Sequence, residues 1–438
     1  MKLLLLLITF GSDTLFLSLN QATELLLKNN YLILASECQV RAAEAQRNQA
    51  FSAFLPQVKL DGNYRRVSLV QEMKSFQVDS LVMIRPGVFI PVGHTVNIPF
   101  GQKDNYQVNL GISQPIFTWG ILLRTYQMSV LNLKDKMLSD TITRNQLVFQ
   151  IKQLYTYGLI LREFVNLSRK VDEELLEHYE TTKRKYNLGT ATEIELLQAE
   201  SKYKNNKFQI LEAERQYQEI IDMMKVLLNL NPNVTLVLTD SLYLDENYIN
   251  GLVESSFNEQ TRYDIKSLGL KLQIVELSRK NAASSNLPNL FYSFNYLMQK
   301  PFGFENIWKD YWALTVGISL SIFDGLKGSS QFRELGFQKK ALEYSLAFQK
   351  NSASMEFERA RRNLLSAIKK YEVQSENLKV AEKLYYTVKT QYEQGLATQL
   401  DYIDAETNYF AQRAYLIQAL GDCVIKAIEI EKTIMGIK

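Results

Sequence analysis

The segment Tyr186–Thr192 (YNLGTAT) recurs 206 positions later as Tyr392–Thr398 (YEQGLAT). A second segment, Gly111–Phe117 (GISQPIF), recurs at the same spacing as Gly317–Phe323 (GISLSIF). Matches that share one spacing indicate an internal duplication, in which each copy is one structural unit. The sequence therefore predicts two halves with the same succession of helices and strands.

The first half contains an insertion that the second half lacks. Leu55-Pro56 matches Leu287-Pro288 at a spacing of 232 positions rather than 206, so the extra residues lie between Pro56 and Gly111. From these matches we predict a first repeat at residues 13–230 and a second at 251–438. Residues 231–250, with Asn231-Pro232-Asn233, would connect them.

Long helices dominate both halves. Only 8 prolines and 19 glycines occur in 438 residues, and few breakers favour uninterrupted helices. Each repeat is predicted to have a first helix, two strands joined by a loop, a very long helix, a glycine turn and a return helix. The very long helices, at about 121–186 and 327–392, would each measure roughly 100 Å. A rod of this length cannot be wrapped by a globular core, so it belongs in a coiled-coil-like array.

The helix boundaries follow from the same pattern. First helices are predicted at 19–52 and 246–285, and return helices at 192–228 and 398–435. The return helix of the first repeat carries an apolar stripe that we interpret as core: Phe208, Leu211, Tyr217, Ile221, Met224 and Leu228.

The predicted strands alternate between two kinds of side chain. Residues 312–322 place Trp, Leu, Val and Ile at every second position, with small or polar residues between them, and residues 106–113 do the same. This alternation is typical of a membrane strand with lipid on one side and water on the other. A soluble sandwich strand, with one face on a core, explains the alternation equally well. The partner strands lie near 58–68 and 290–300, and a loop is predicted from Val70 to Lys103.

Composition excludes several other functions. The net charge of +3 is spread along the chain and gives no broad basic face for nucleic acid. The two cysteines and two histidines have no metal-ligand spacing, and no nucleophile or acid–base group is evident, so we predict no cofactor and no catalysis. Residues 1–12, with Lys2 before an apolar run, are typical of an export signal.

Several short motifs, in order, resemble the TolC family of outer-membrane efflux and secretion channels. The resemblance extends from about Leu19 to Met435. Its marks are Leu19–Ala22 (LNQA), Asn29-Asn30, Ala42–Gln46 (AAEAQ), Leu55–Gln57 (LPQ), Ser113–Phe117 (SQPIF), Gly120 and the two Tyr-x-x-Gly turns.

The resemblance implies both an architecture and a set of partners. It implies a homotrimer whose chains each give four strands to one twelve-stranded β-barrel in the lipid bilayer of the outer membrane. A long α-helical barrel would continue from it into the periplasm. The duct would act passively in a tripartite efflux pump or a type I secretion system. A periplasmic adaptor protein would join it to an inner-membrane transporter.

The resemblance also assigns residues at the helical end. Asp401 and Asp404 match acids that line the narrowest part of the pore, where rings of carboxylates favour cations and raise each other's pKa. Tyr392 and Glu195 match positions of a closed-state latch. The cation of that latch is absent, because Ala397 occupies its position.

The two turns have an expected role as well. Gly189 and Gly395 permit the sharp reversal, and Thr192 and Thr398 are suited to cap the return helices. The resemblance adds docking of the adaptor at these four residues. A structural coiled-coil scaffold of the cell envelope, without a pore, remains the alternative, although it does not explain the duplicated strand pairs.

Overall fold

The computed structural model describes residues 14–303 and 305–434, so the expected export signal at 1–12 lies outside the described residues. The chain is mainly helical, with strands, as the sequence predicts. The helices are α1 (Leu19–Asn29), α2 (Tyr31–Ser52), α3 (Ile121–Asn187), α4 (Glu193–Leu228), α5 (Glu246–Glu254), α6 (Tyr263–Ser284), α7 (Lys327–Glu393) and α8 (Gln399–Ile434). The strands are β1 (Thr14–Leu17), β2 (Gln57–Arg66), β3 (Gln71–Arg85), β4 (Val88–Phe100), β5 (Asp104–Phe117), β6 (Thr235–Leu238), β7 (Asn289–Lys300) and β8 (Lys309–Ser319).

The chain forms two compact units. One unit comprises residues 44–132 and 273–340 and contains the sheet strands β2, β5, β7 and β8. The other comprises, among the described residues, 14–43, 133–272 and 341–434 and is almost entirely helical. Helices α2, α3, α6 and α7 each contribute residues to both units.

Corresponding helices of the two halves have equal lengths. Both α3 and α7 contain 67 residues, and both α4 and α8 contain 36. At 1.5 Å per residue the longer pair would each measure about 100 Å. The long helices and their return helices therefore agree with the predicted boundaries to within a few residues.

The first helix of each half is interrupted where a continuous helix was predicted. Asn30 is extended between α1 and α2, and its side chain is used twice: Nδ2 donates to the Leu227 carbonyl at 2.7 Å and Oδ1 accepts from Leu32 N–H at 2.8 Å. In the second half, a 3₁₀ turn at Glu259–Thr261 separates α5 from α6. Polar side chains that bond to the backbone compete with helix continuation at both breaks.

Four strands form one antiparallel sheet in the order β2-β5-β7-β8. The outer strands of this sheet, β2 and β8, each have one neighbour within the described chain. Strand β8 ends at Ser319, three residues before the end of the predicted alternating segment at 322. Two copies of the predicted strand pair thus lie side by side.

The predicted loop Val70–Lys103 is largely a β-hairpin, so the loop prediction was wrong. Strands β3 and β4 pair from Gln71↔Phe100 to Arg85↔Val88, as a separate two-stranded sheet. Valine, isoleucine and phenylalanine are frequent here, and Gly87 has a φ of +85° that suits a tight turn. The segment also contains Pro86, Pro91 and Pro99, which are uncommon inside strands.

The largest core of the helical unit surrounds a small parallel sheet of β1 and β6. Tyr155 on α3 is 1% exposed, and its hydroxyl donates to the Leu17 carbonyl at 2.9 Å. Arg162, two turns later, donates to the carbonyls of Leu238 and Asp240, both at 2.6 Å. Within residues 14–303 and 305–434, no helix is both long and apolar enough to cross a membrane.

Candidate functional site

The sheet β2-β5-β7-β8 has two chemically different faces. The strand register places most of its bulky apolar side chains on one side, which we call the apolar face. On β8 these side chains are 60–73% exposed. The apolar face consists of Val58, Leu60, Tyr64, Tyr106, Val108, Leu110, Ile112, Leu290, Tyr292, Phe294, Tyr296, Met298, Trp312, Leu314, Val316 and Ile318.

The opposite face, which we call the polar face, carries mostly small, amide, hydroxyl or charged groups. Its members include Lys59, Asp61, Asn63, Arg65, Gln107, Asn109, Ser113, Ser293, Asn295, Thr315 and Ser319.

Aromatic rings cluster near the end of the sheet away from the helices. The Tyr64 and Tyr106 centroids are 5.0 Å apart, and the Trp308 centroid is 5.9 Å from that of Tyr106. An exposed apolar face of this extent, with aromatic rings at its border, fits contact with lipid.

The second part of the site is the tip, by which we mean the turns 188–192 and 394–398 and the helix ends that they join. Gly189 and Gly395 have φ angles of +75° and +74°, a conformation that strains residues with a side chain. Thr192 caps α4, and its hydroxyl accepts from the Glu195 N–H at 3.3 Å. Thr398 begins α8 in the same way. The two reversals therefore have equivalent local chemistry.

Asp401 completes the cap of α8. Its carboxylate accepts from the Thr398 hydroxyl at 2.6 Å and from the Thr398 N–H at 3.0 Å, and these bonds lower the pKa of Asp401 below its usual range. Asp404, three residues later, lies close to it along the helix surface, and both are exposed. Within one chain, the acids predicted to line the constriction are thus solvated and on neighbouring positions.

The two latch candidates take part in different contacts. The ring of Tyr392 stacks on Tyr402, with centroids 5.2 Å apart, and the Lys185 Nζ lies 4.8 Å from the Tyr392 centroid. The carboxylate of Glu195 accepts from the Thr192 N–H at 2.6 Å, as part of the α4 cap. Burial, followed by the negative charge of Glu195, raises the pKa of Tyr392. The structure brings the two residues near each other without a hydrogen bond between them.

Lys202 was not singled out from the sequence, although it joins two helices at the tip. Its Nζ on α4 donates to the Ile403 carbonyl at 3.1 Å and to the Thr407 hydroxyl at 2.7 Å, both on α8. Burial lowers the pKa of Lys202, while the nearby carboxylates of Glu406 and Asp404 oppose this shift. The ammonium group of Lys202 therefore links α4 to α8. Ala397, at the position expected for the latch cation, cannot form such a link.

Glu406 is a second residue that the sequence analysis missed. It is 1% exposed, and it accepts a hydrogen bond from the Tyr402 hydroxyl at 2.8 Å. Burial raises its pKa, and both the Tyr402 hydrogen bond and Lys202 oppose that rise. The available signal was spacing: Glu406 follows Tyr402 by four residues and precedes Tyr409 by three, which puts it on an aromatic helix face.

Two further hydrogen bonds connect the α3–α4 pair with the α7–α8 pair. The buried Gln399 donates to the Glu195 carbonyl at 2.9 Å. The hydroxyl of Tyr385, on α7, donates to the Glu174 carboxylate on α3, also at 2.9 Å. Together with Lys202, these bonds tie the two helical hairpins to each other near the turns.

His178 occupies an unusual position for a titratable group. It is 8% exposed, its ring centroid lies 5.0 Å from that of Tyr402, and its Nε2 has no hydrogen-bond partner in the described structure. Burial, reinforced by the positive charges of Lys202 and Lys185, lowers its pKa from 6.5 to about 4. His178 is therefore neutral at neutral pH and packs as an aromatic ring.

We expect acid to weaken the tip through His178. Because its folded pKa is lower than its unfolded pKa, the unfolded state binds a proton first as the pH falls. The contribution of neutral His178 to the free energy of unfolding is therefore complete above pH 6.5. It decreases as the pH falls toward 4, by up to about 3 kcal/mol. His178→Phe keeps a ring and removes the proton. Helix unfolding monitored by circular dichroism between pH 7 and pH 4 should be less pH-dependent in the variant, and equal slopes would contradict the role of His178.

The chain is similar to known proteins both in sequence pattern and in fold. The outer membrane efflux protein family model matches residues 22–229 and 259–434. Among solved structures, the outer membrane protein VceC from Vibrio cholerae is 16% identical with a TM-score of 0.77, and the similarity covers 95% of each chain. The Campylobacter jejuni CmeC outer membrane channel is 18% identical with a TM-score of 0.76, covering 95% of this chain and 85% of CmeC.

A third solved structure has a similar fold. The open state of the Neisseria gonorrhoeae MtrE outer membrane channel is 15% identical with a TM-score of 0.75, covering 96% of this chain and 89% of MtrE. No curated protein sequence matches the chain. At these identities the solved structures establish the shared fold.

Proposed function

Because the chain belongs to the outer membrane efflux protein family, we propose that three copies form one duct that carries cargo from the periplasm to the exterior. The family consists of channels and not of enzymes, so the predicted TolC-type identity and the predicted lack of catalysis are confirmed. The protein is an outer-membrane efflux channel, with its helical part in the periplasm, and the scaffold alternative is not favoured.

The observation that carries the trimer is the two-faced sheet with open edges. Backbone groups at a sheet edge cannot be left unpaired in hydrocarbon. Strands β2 and β8 are the outer strands, so the β8 edge of one copy must pair with the β2 edge of the next. Three copies give twelve strands, an allowed barrel size. The apolar face would then contact lipid, and the polar face would line water.

The helical part supports the same assembly. On α4, Ile194, Leu197, Phe208 and Leu211 repeat at helical spacing and are 56–71% exposed in the single chain. Phe208 and Leu211 were predicted to be core, and only the later part of that stripe, including Ile221 and Met224, is buried within the chain. On α7, Phe348, Met355, Val373 and Val380 form a similar exposed row. Packing α4 of one copy against α7 of the next would bury both rows in a helical barrel.

The repeat organisation is also part of this proposal. Equal lengths of α3 and α7, and of α4 and α8, support a duplication with repeats at 13–230 and 251–438. The connection at 231–250 contains β6 and the start of α5. It would form a band around the helical barrel at the level of the β1–β6 sheet.

At the tip, we assign the constriction to Asp401 and Asp404. Their exposure on one side of α8 supports this assignment, because three chains would place two stacked rings of acids around the axis. Tyr392 and Glu195 remain latch candidates, and Lys202 is better placed than Ala397 to hold the two hairpins together. The closed state would therefore depend on Lys202 rather than on a cation at position 397.

The partners of the duct follow from the family. A periplasmic adaptor protein would dock at the tip around Gly189, Thr192, Gly395 and Thr398, where both turns are exposed. An inner-membrane transporter would supply the energy. The matching chemistry of the two turns supports a ring of similar adaptor sites.

The assembly is tested by reconstitution. The purified, detergent-solubilised protein should be trimeric and should conduct ions across a planar lipid bilayer. A homogeneous monomer that carries no current would refute the proposal. Both measurements use the intact chain.

The constriction has its own test. Asp401→Asn together with Asp404→Asn should reduce the preference for cations over anions, because neutral amides no longer attract cations. Asparagine at 401 can still accept the Thr398 hydrogen bonds. Glu376→Gln, at a 72%-exposed carboxylate on α7, is the matched control and should leave selectivity unchanged. Reversal potentials in a salt gradient measure the effect, and an unchanged value in the double variant would remove both acids from the pore.

A further inference from the structure

The β3–β4 hairpin is apolar on both faces in its outer half. The bulge at Asp79 shifts the pairing register. From Ser80↔Val92 onward, the paired residues again alternate between the two faces of the hairpin. One face of the outer half then carries Leu81, Met83, Phe89 and Pro91. The other carries Val82, Val88, Ile90 and Val92, and the large apolar side chains of residues 81–92 are 45–63% exposed.

The inner half of the same hairpin mixes charged and amide side chains with the exposed apolar side chains of Met73, Phe76, Val78 and Ile98. Glu72, Lys74, Gln77 and Asn97 lie there, and the His94 Nδ1 is 2.8 Å from the Asp79 carboxylate. An isolated two-stranded hairpin has little stability in water, and apolar patches of this kind are rarely left uncovered. The outer half, where residues 81–84 and 88–92 are all apolar, is therefore the part of the hairpin that most needs a partner.

Lipid does not fit this surface. Strands β3 and β4 pair with each other and with no third strand in the described chain, so both outer edges have unpaired backbone groups. Such edges are not tolerated in hydrocarbon. The suitable partner is a protein surface that covers the two faces and leaves the edges in water.

The position of the hairpin in the chain identifies that surface. The hairpin follows β2 and precedes β5, and the Val67 N–H donates to the Lys103 carbonyl at 2.9 Å where the two strands leave the sheet. The other ends of β2 and β5 lead to α2 and α3, so the hairpin projects from the end of the sheet away from the helices. Strand β2 is also the outer strand at which the proposed trimer places the next copy.

We propose that the outer halves of three hairpins, one from each copy, pack against one another and form an apolar cap at the outer mouth of the duct. This inference rests on the proposed trimer. In a threefold ring each hairpin has two neighbours, and a head-to-tail contact puts one face against the opposite face of the next copy. A hairpin with two apolar faces is suited to this closed arrangement, whereas a dimer would cover only one face.

Disulfide trapping tests the contact. Leu81→Cys and Ile90→Cys lie on opposite faces of one hairpin, so a bond between them must join two copies. The background replaces the exposed Cys38 and the buried Cys423 by serine and alanine. Upon oxidation, the double variant should give covalent dimers and trimers on denaturing gels, and each single variant should remain monomeric. The pair Lys74→Cys with Ser75→Cys, on opposite faces of the inner half, is the matched control and should give little product.

The outcomes separate the cap from the duct. A double variant that is trimeric and conducts ions but forms no interchain disulfide overturns the cap and leaves the proposed function intact. Disulfides in a single variant would mean that identical faces meet, which also contradicts the head-to-tail contact. As a second measurement, replacing residues 80–92 by a short glycine-containing turn should increase single-channel conductance, and an unchanged conductance contradicts a cap over the mouth.

Discussion

Replacing Lys202 with methionine is expected to shift the duct toward its open state. The variant keeps a long apolar stem and loses the hydrogen bonds from the Nζ to the Ile403 carbonyl and the Thr407 hydroxyl. Hydrogen bonds from a charged, half-buried donor contribute about 2 kcal/mol. If these bonds hold α4 against α8 only in the closed state, their loss changes the closed–open equilibrium about 30-fold per chain. Single-channel recording should show a larger and longer open conductance.

The control for this prediction lies two residues further along the same helix. Lys204 is exposed and forms an ion pair with Glu200 within α4, so Lys204→Met removes the same charge without breaking a link between helices. Its conductance should equal that of the wild type. If Lys202→Met also behaves as the wild type, Lys202 does not restrain the tip, and Tyr392 and Glu195 become the better latch residues.

Replacing Tyr155 is expected to cause the largest loss of stability. Its hydroxyl donates to the Leu17 carbonyl and accepts from the Asp240 N–H, so it satisfies backbone groups beside both β1 and β6. Tyr155→Phe leaves the Asp240 N–H unpaired and leaves the Leu17 carbonyl with only its bond from the Thr239 N–H, which should cost about 1–3 kcal/mol. Tyr155→Ala also leaves a cavity in the largest core and should cost about 3–5 kcal/mol. Guanidinium unfolding followed by far-UV circular dichroism measures both.

Tyr157 provides the matched comparison. It lies two residues later on α3 and is 45% exposed, so Tyr157→Phe should change stability by no more than about 0.5 kcal/mol. Equal effects of the two Tyr→Phe changes would show that the hydroxyl of Tyr155 is not needed at the β1–β6 sheet. Arg162 would then be the residue that holds β6, through its bonds to Leu238 and Asp240.

Local patterns gave reliable predictions where neighbouring residues alone decide the conformation. The Tyr-x-x-Gly turns, the threonine caps and the strand alternation each depend on backbone geometry or spacing within a few residues. The break at Asn30 was missed because an asparagine inside an apolar helical pattern becomes a break here through its bond to Leu227, 197 positions away. The hairpin at 71–100 was missed because its prolines are uncommon inside strands and its alternation is interrupted by the bulge at Asp79.

The sequence by itself determined the long helices, the glycine reversals and the two-faced strands, since each of these depends on short-range periodicity. Only the tertiary structure decided which groups at the tip are buried and joined: His178, Lys202 and Glu406 come from three helices. Burial and charge pairing depend on the neighbours that packing supplies, and residues far apart in the chain do not reveal these neighbours until the helices lie side by side.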